Sequence, residues 1–283
     1  MPKRLPPIQV RLNLCKRDVL VLNIGTNMTR SSVAVLLCGL LFLSLPLHGE
    51  EITIAAAADL NYALPDLAKH FTAAAGTQVK LSFGASGNLY SQIQNGAPFD
   101  LFFSADAGYP KKLADGGTLE SQSLREYAVG HLVLWVPNSS ALDPEKLKMD
   151  LLTNTAVQRI ALANPQHAPY GRAAVAALEH FGLKARVSSK LVIGENVGQA
   201  AQFVQSGNAQ AGLIPLSLAV SPAMKGAGRY WELPADSYPE LKQVAAVVAA
   251  SKHKQAAQAF LNYVTSPDGR AILQQYGFHT PGK

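Results

Sequence analysis

From residue 51 onward, short apolar runs alternate with stretches whose apolar residues recur every three or four positions, and this alternation constrains the fold most. Residues 51–57 (EITIAAA) read as a strand. In 60–75, Leu60, Leu64, Leu67, Ala68 and Phe71 share one helical face, and Gly76 supplies the stop. Strands over 79–83 and 101–104 (LFFS) and helices over 88–95 and 108–114 continue the series. A longer strand is predicted over 127–136 (YAVGHLVLWV), where the chain crosses to a second lobe. Strands over 159–163, 191–193 and 211–214 and helices over 171–181 and 198–205 follow there. The run 242–250 (KQVAAVVAA) reads as a strand returning to the first lobe, and helices over 254–264 and 269–276 close the chain. Such alternation predicts an α/β class with mostly parallel sheets flanked by helices. Lobe 1 is expected over 51–130 plus 241–283 and lobe 2 over 131–240, with a ligand cleft between them.

The 49 residues ahead of this pattern read as an address. Met28, Arg30 and an almost wholly apolar run over 33–47 precede a small residue, Gly49, in the order of a secretory signal. The apolar run is too short to span a bilayer, which takes about 20 residues. Residues 28–49 are therefore expected to be a signal peptide cut after Gly49, and 1–27 to be unrelated upstream sequence. The expected compartment is the periplasm. The formal charge of +6 invites a nucleic-acid reading, but six Lys/Arg and one acid lie in 1–49. The remainder carries 19 basic and 18 acidic residues without a basic block, which removes the case for polyanion binding. Both cysteines, Cys15 and Cys38, also fall in the leader, so the exported part is expected to have neither disulfides nor thiolate metal sites.

Four junctions place small or polar residues just ahead of a predicted helix: Ala57-Ala58-Asp59, Gly84-Ala85-Ser86-Gly87, Ala168-Pro169-Tyr170-Gly171 and Glu195-Asn196-Val197-Gly198. The first N–H groups of a helix lack partners within it, and the helix dipole makes that end attractive to anions. Glycine and alanine let an oxyanion approach the backbone closely. One such junction is ordinary capping chemistry. Four of them meeting in one cleft predict a neutral, donor-rich anion site.

Several stretches carry a more specific likeness: EITIAAAADLNYA (51–63), FGASGNLYSQIQNGAPFDLFFSAD (83–106), ANPQHAPYGR (163–172), ENVGQA (195–200) and YGF (276–278). In this order and spacing the chain resembles the periplasmic molybdate-binding proteins of ABC importers. The resemblance implies a two-lobed periplasmic-binding-protein fold of type II with an interlobe hinge. It also implies molybdate, and tungstate, as ligand, held through its oxygens with no metal–protein coordination and no cofactor. The implied oxyanion-binding residues are Ala58 and Asp59 through backbone N–H, Ser86 through N–H and hydroxyl, and Tyr170 and Val197 through backbone N–H. The implied partners are the permease and ATPase of an ABC transporter. A monomer with no enzymatic activity is expected.

Asp59 departs from the serine, threonine or asparagine that many relatives of this kind carry. An ionised Asp only accepts hydrogen bonds and would repel a dianion. Two readings stand: an N-cap whose carboxylate turns back onto the helix N–H groups, or an acceptor for the proton of hydrogenphosphate. The second keeps a phosphate or sulfate receptor open as an alternative. An exported serine hydrolase built on Ser86 is a further one, although Asn88 stands where the G-x-S-x-G pattern needs glycine. The histidines lack paired metal-ligand spacing.

Overall fold

The computed structural model describes residues 50–279. The segment read as leader, with both cysteines, lies outside the described residues. Among these residues no helix is long and apolar enough to cross a membrane.

Among the described residues, ten strands form two five-stranded sheets. The first holds β1 (Glu51–Ala57), β2 (Gln78–Gly84), β3 (Leu101–Ser104), β4 (Arg125–Gly130) and β10 (Leu241–Val247), in the order β2-β1-β3-β10-β4. The second holds β5 (Leu132–Pro137), β6 (Ile160–Ala163), β7 (Leu191–Gly194), β8 (Ala211–Pro215) and β9 (Gly228–Glu232), in the order β7-β6-β8-β5-β9. β1 pairs in parallel with β2 and β3, whereas β10 is antiparallel to both β3 and β4. β6 pairs in parallel with β7 and β8, whereas β5 is antiparallel to β8 and β9. In each sheet four strands thus share a direction and one opposes them.

The apolar runs become strands because helices cover both faces of these sheets. On one face of the first sheet, Ile52, Ile54 and Phe103 pack with Leu64, Leu67 and Phe71 of the helix Ala63–Ala75 and Phe260 of the helix Lys254–Val264. Phe71 and Phe260 meet edge to face with centroids 5.1 Å apart. The other face takes Leu89 and Ile93 from the helix Ser86–Gln94 and Leu113 from the helix Gly108–Asp115. Each fully buried side chain of this size contributes about 1.5–3 kcal/mol. Gly76 ends the helix Ala63–Ala75 in the left-handed region, φ 75°, where a Cβ is disfavoured.

Two expectations need correction. The strand predicted over 127–136 is two strands, β4 and β5, parted at His131 and belonging to different sheets. Both halves are apolar and largely buried, and Gly130-His131 is the one interruption between them, at the break. The helix predicted over 60–75 begins as a separate 3-10 turn, Ala58–Leu60, ahead of Ala63–Ala75.

Candidate functional site

Each of the four junctions ends a strand and opens a helical turn. β1 runs into the turn Ala58–Leu60 through an extended Ala57. β2 leads through Ala85, also extended, into the helix Ser86–Gln94. Past β6, Ala168 precedes the helix Pro169–His180, whose first residue is a proline. That proline has no N–H, so Tyr170 carries the first donor of the turn. After β7, Asn196 caps the helix Val197–Gln205 by accepting from the Gln199 N–H at 3.1 Å. The other three helix starts have no side-chain cap, which leaves their N–H groups to other acceptors.

All four junctions line one small cavity, framed by Ala58, Asp59, Ser86, Tyr170 and Val197 with Ala85, Ala168 and Asn196 among their neighbours. Every one of the five is buried, Val197 least at 5% exposure. The lining contains no lysine, arginine or histidine and one carboxylate, that of Asp59. The Ser86 hydroxyl accepts from the Ala105 N–H at 3.0 Å, so its own hydrogen is free to point at an acceptor in the cavity. Among the described residues no group of three or more His, Cys, Asp or Glu is arranged to hold a metal ion.

The two lobes meet around this cavity. The Gly87 N–H donates to the His167 carbonyl at 2.8 Å. Asn88 Nδ2 donates to Glu195 Oε1 at 2.7 Å, and Arg172 is ion-paired with Asp106 at 2.5 Å. A Cβ on Gly87 would lie 2.6 Å from the Tyr109 hydroxyl and 2.9 Å from the His167 carbonyl oxygen, so the approach requires glycine. Ala57, Ala58, Ala85 and Ala105 of the first lobe join the apolar core of the second.

Asp59 is not the N-cap of its turn: Ala57 holds that place, and Asp59 lies inside the turn. Its carboxylate turns instead toward the returning strand. Gln243 Nε2 donates to Asp59 Oδ2 at 2.5 Å and lies 3.1 Å from the Tyr170 hydroxyl, while Gln243 Oε1 accepts from the Tyr127 hydroxyl at 2.6 Å. The N–H groups of Asp59 and Leu60 in the turn also favour the charged carboxylate, after the larger effects of Gln243 and Tyr170. Asp59 Oδ1 is buried without a hydrogen-bond partner. Burial pushes the Asp59 carboxyl up to about 6, with hydrogen bonds from Gln243 and Tyr170 opposing a further rise. Burial and the charge of Asp59 hold the Tyr127 and Tyr170 hydroxyls well above the ordinary range.

The sequence reading did not include Gln243 or Tyr127. A weak signal existed in KQVAAVVAA, where Gln243 immediately precedes an apolar run. A polar side chain there is buried and needs partners, but the run does not say which.

A family model described as bacterial extracellular solute-binding protein matches residues 52–279. The molybdate-binding protein ModA of Azotobacter vinelandii is 38% identical over 228 residues, covering 81% of this chain and 89% of that protein. The protein of the same name from Escherichia coli K12 is 33% identical over 232 residues, 81% of this chain and 88% of that one. The solved structure of the Azotobacter vinelandii periplasmic molybdate-binding protein has a TM-score of 0.77 at 34% identity, covering 82% of this chain and all of that one. The chain belongs to the bacterial extracellular solute-binding proteins and, within them, to the ModA type.

Proposed function

We propose that this protein is an exported receptor that captures molybdate, and tungstate as its close analogue, for the permease and ATPase of an ABC importer. The observation that carries the reading is the convergence of four helix or turn starts on one small cavity whose lining residues include no lysine, arginine or histidine. The Azotobacter vinelandii and Escherichia coli relatives, matched over most of their length, are named for molybdate binding. The backbone N–H groups of Ala58, Asp59, Tyr170 and Val197 and both donors of Ser86 would hold the oxygens of a tetrahedral dianion. No bond is made or broken, and no metal–protein bond forms. Fixed donors select by size: sulfate has the same charge and shape but is smaller, which leaves some buried donors poorly paired. Ligand oxygens touching both lobes at once would drive them together. The protein acts as a monomer in the periplasm, delivered there by the segment 28–49 as signal peptide.

A thermal-shift panel of molybdate, tungstate, sulfate and phosphate tests this. Molybdate and tungstate should raise the melting temperature; at 100 times its dissociation constant a ligand stabilises the fold by about 2.7 kcal/mol. Stabilisation by phosphate or sulfate with none by molybdate would overturn the assignment.

A further inference from the structure

Asp59 sets a problem that a neutral cage does not. Asp59 is 1% exposed and is one of the residues that line the cavity, so its charge would lie buried beside an incoming dianion. The surrounding elements bring it no cation. β10 offers Gln243 and β4 offers Tyr127, while the helix Pro169–His180 offers Tyr170. The segment Leu216–Ala219 offers Ser217, whose Oγ donates to the Asp59 carbonyl at 2.8 Å. The helix Val197–Gln205 carries no charged residue, and Lys80 of β2 is paired with Glu51 at 2.8 Å. Arg172 and Asp106, which bridge the lobes, neutralise each other. An ionised Asp59 and a dianion would therefore be two buried like charges with no opposite charge between them, an arrangement that forces protonation of the weaker acid. Gln243 occupies Oδ2, and Oδ1 is left without a partner.

We propose that Asp59 binds the oxyanion in its protonated form, so that each dianion captured carries one solvent proton into the cavity and the carboxylic acid serves as a hydrogen-bond donor of the cage. The proton adds to the carboxylate as the ligand enters and leaves with it; no covalent bond of the oxyanion changes. The raised carboxyl, near 6 before any ligand arrives, makes this proton easy to acquire close to neutrality. A neutral amide at the same position donates without needing a proton, so an asparagine is the natural mimic of the protonated state. This inference rests on the molybdate reading.

Isothermal titration calorimetry of molybdate into the full exported protein, at pH 7.5 in buffers of different ionisation enthalpy, measures the proton directly. Uptake of about one proton per oxyanion is expected, with affinity falling about tenfold per pH unit above 7. Asp59→Asn should bind as tightly or more tightly, with no proton uptake and a flat pH profile. Wild-type binding with buffer-independent heat overturns the inference and leaves the ligand reading intact. Proton uptake retained in Asp59→Asn overturns it equally, by assigning the proton elsewhere. No heat with molybdate or tungstate overturns both.

Discussion

Gln243 stands between Asp59 and Tyr127, donating its amide N–H to the carboxylate at 2.5 Å and accepting the phenol hydrogen at 2.6 Å. One side chain on the strand that re-enters the first lobe thus orients the carboxylate of the cavity and satisfies a buried tyrosine of β4.

Replacing Gln243 by leucine removes its bonds to the Asp59 carboxylate and to the Tyr127 and Tyr170 hydroxyls, while the Tyr127 hydroxyl keeps the Ser104 carbonyl at 3.4 Å. The expected loss of stability is about 1–3 kcal/mol, chiefly from the buried Asp59 carboxylate deprived of this donor. Urea unfolding followed by circular dichroism measures it. A loss within experimental error would show that the carboxylate finds another partner.

Ionisation of Asp59 costs stability in the ligand-free protein. Its folded carboxyl titrates near 6, above the unfolded value of about 3.9, so the folded state holds the extra proton in that window. The contribution is therefore present in full below pH 4 and is lost as pH rises through 6. The stability of Asp59→Asn relative to wild type should grow by roughly 2 kcal/mol between pH 4 and pH 7.5. Denaturant melts of both proteins at the two pH values give this difference, and a constant difference would contradict the burial of an ionisable Asp59.

Ser86→Ala deletes a hydroxyl whose oxygen is already engaged by the Ala105 N–H at 3.0 Å. A hydrogen bond to a charged acceptor contributes about 1.5–3 kcal/mol, so molybdate affinity should fall roughly 10- to 100-fold. Titration calorimetry reads the change. A hydrolase built on Ser86 would instead lose an esterase or phosphatase activity in this variant.

Gly87→Ala tests lobe closure. The added methyl has backbone of the other lobe within 2.9 Å, so it should hold the lobes apart. Oxyanion affinity should drop by tenfold or more while the melting temperature of the ligand-free protein changes little. Small-angle scattering with and without molybdate should show less compaction than in wild type.

Much of the fold was legible because strands buried between neighbours must be apolar and helices must be amphipathic. β1 spans the predicted residues 51–57, and the helix Lys254–Val264 matches its prediction in full. β9 escaped because GRYWE is an edge strand that pairs with β5 alone and stays mostly exposed, with no apolar run to betray it. Ala58, Asp59, Ser86, Tyr170 and Val197 were legible as small or polar residues before helices, and they line one cavity. The orientation of Asp59 was not legible, because its partner Gln243 lies 184 residues away. A local rule names only the nearby N–H groups, and the tertiary donor adds to them.

Because half of the lining residues are alanine or glycine, the proposed recognition by main-chain donors lies largely beyond the reach of point substitution. Amides come with the fold itself, and lineages diverging in side chains would keep them. Positions 59 and 86 are then where selection has chemical freedom, and a carboxyl at the first adjusts the receptor to the acidity of its surroundings.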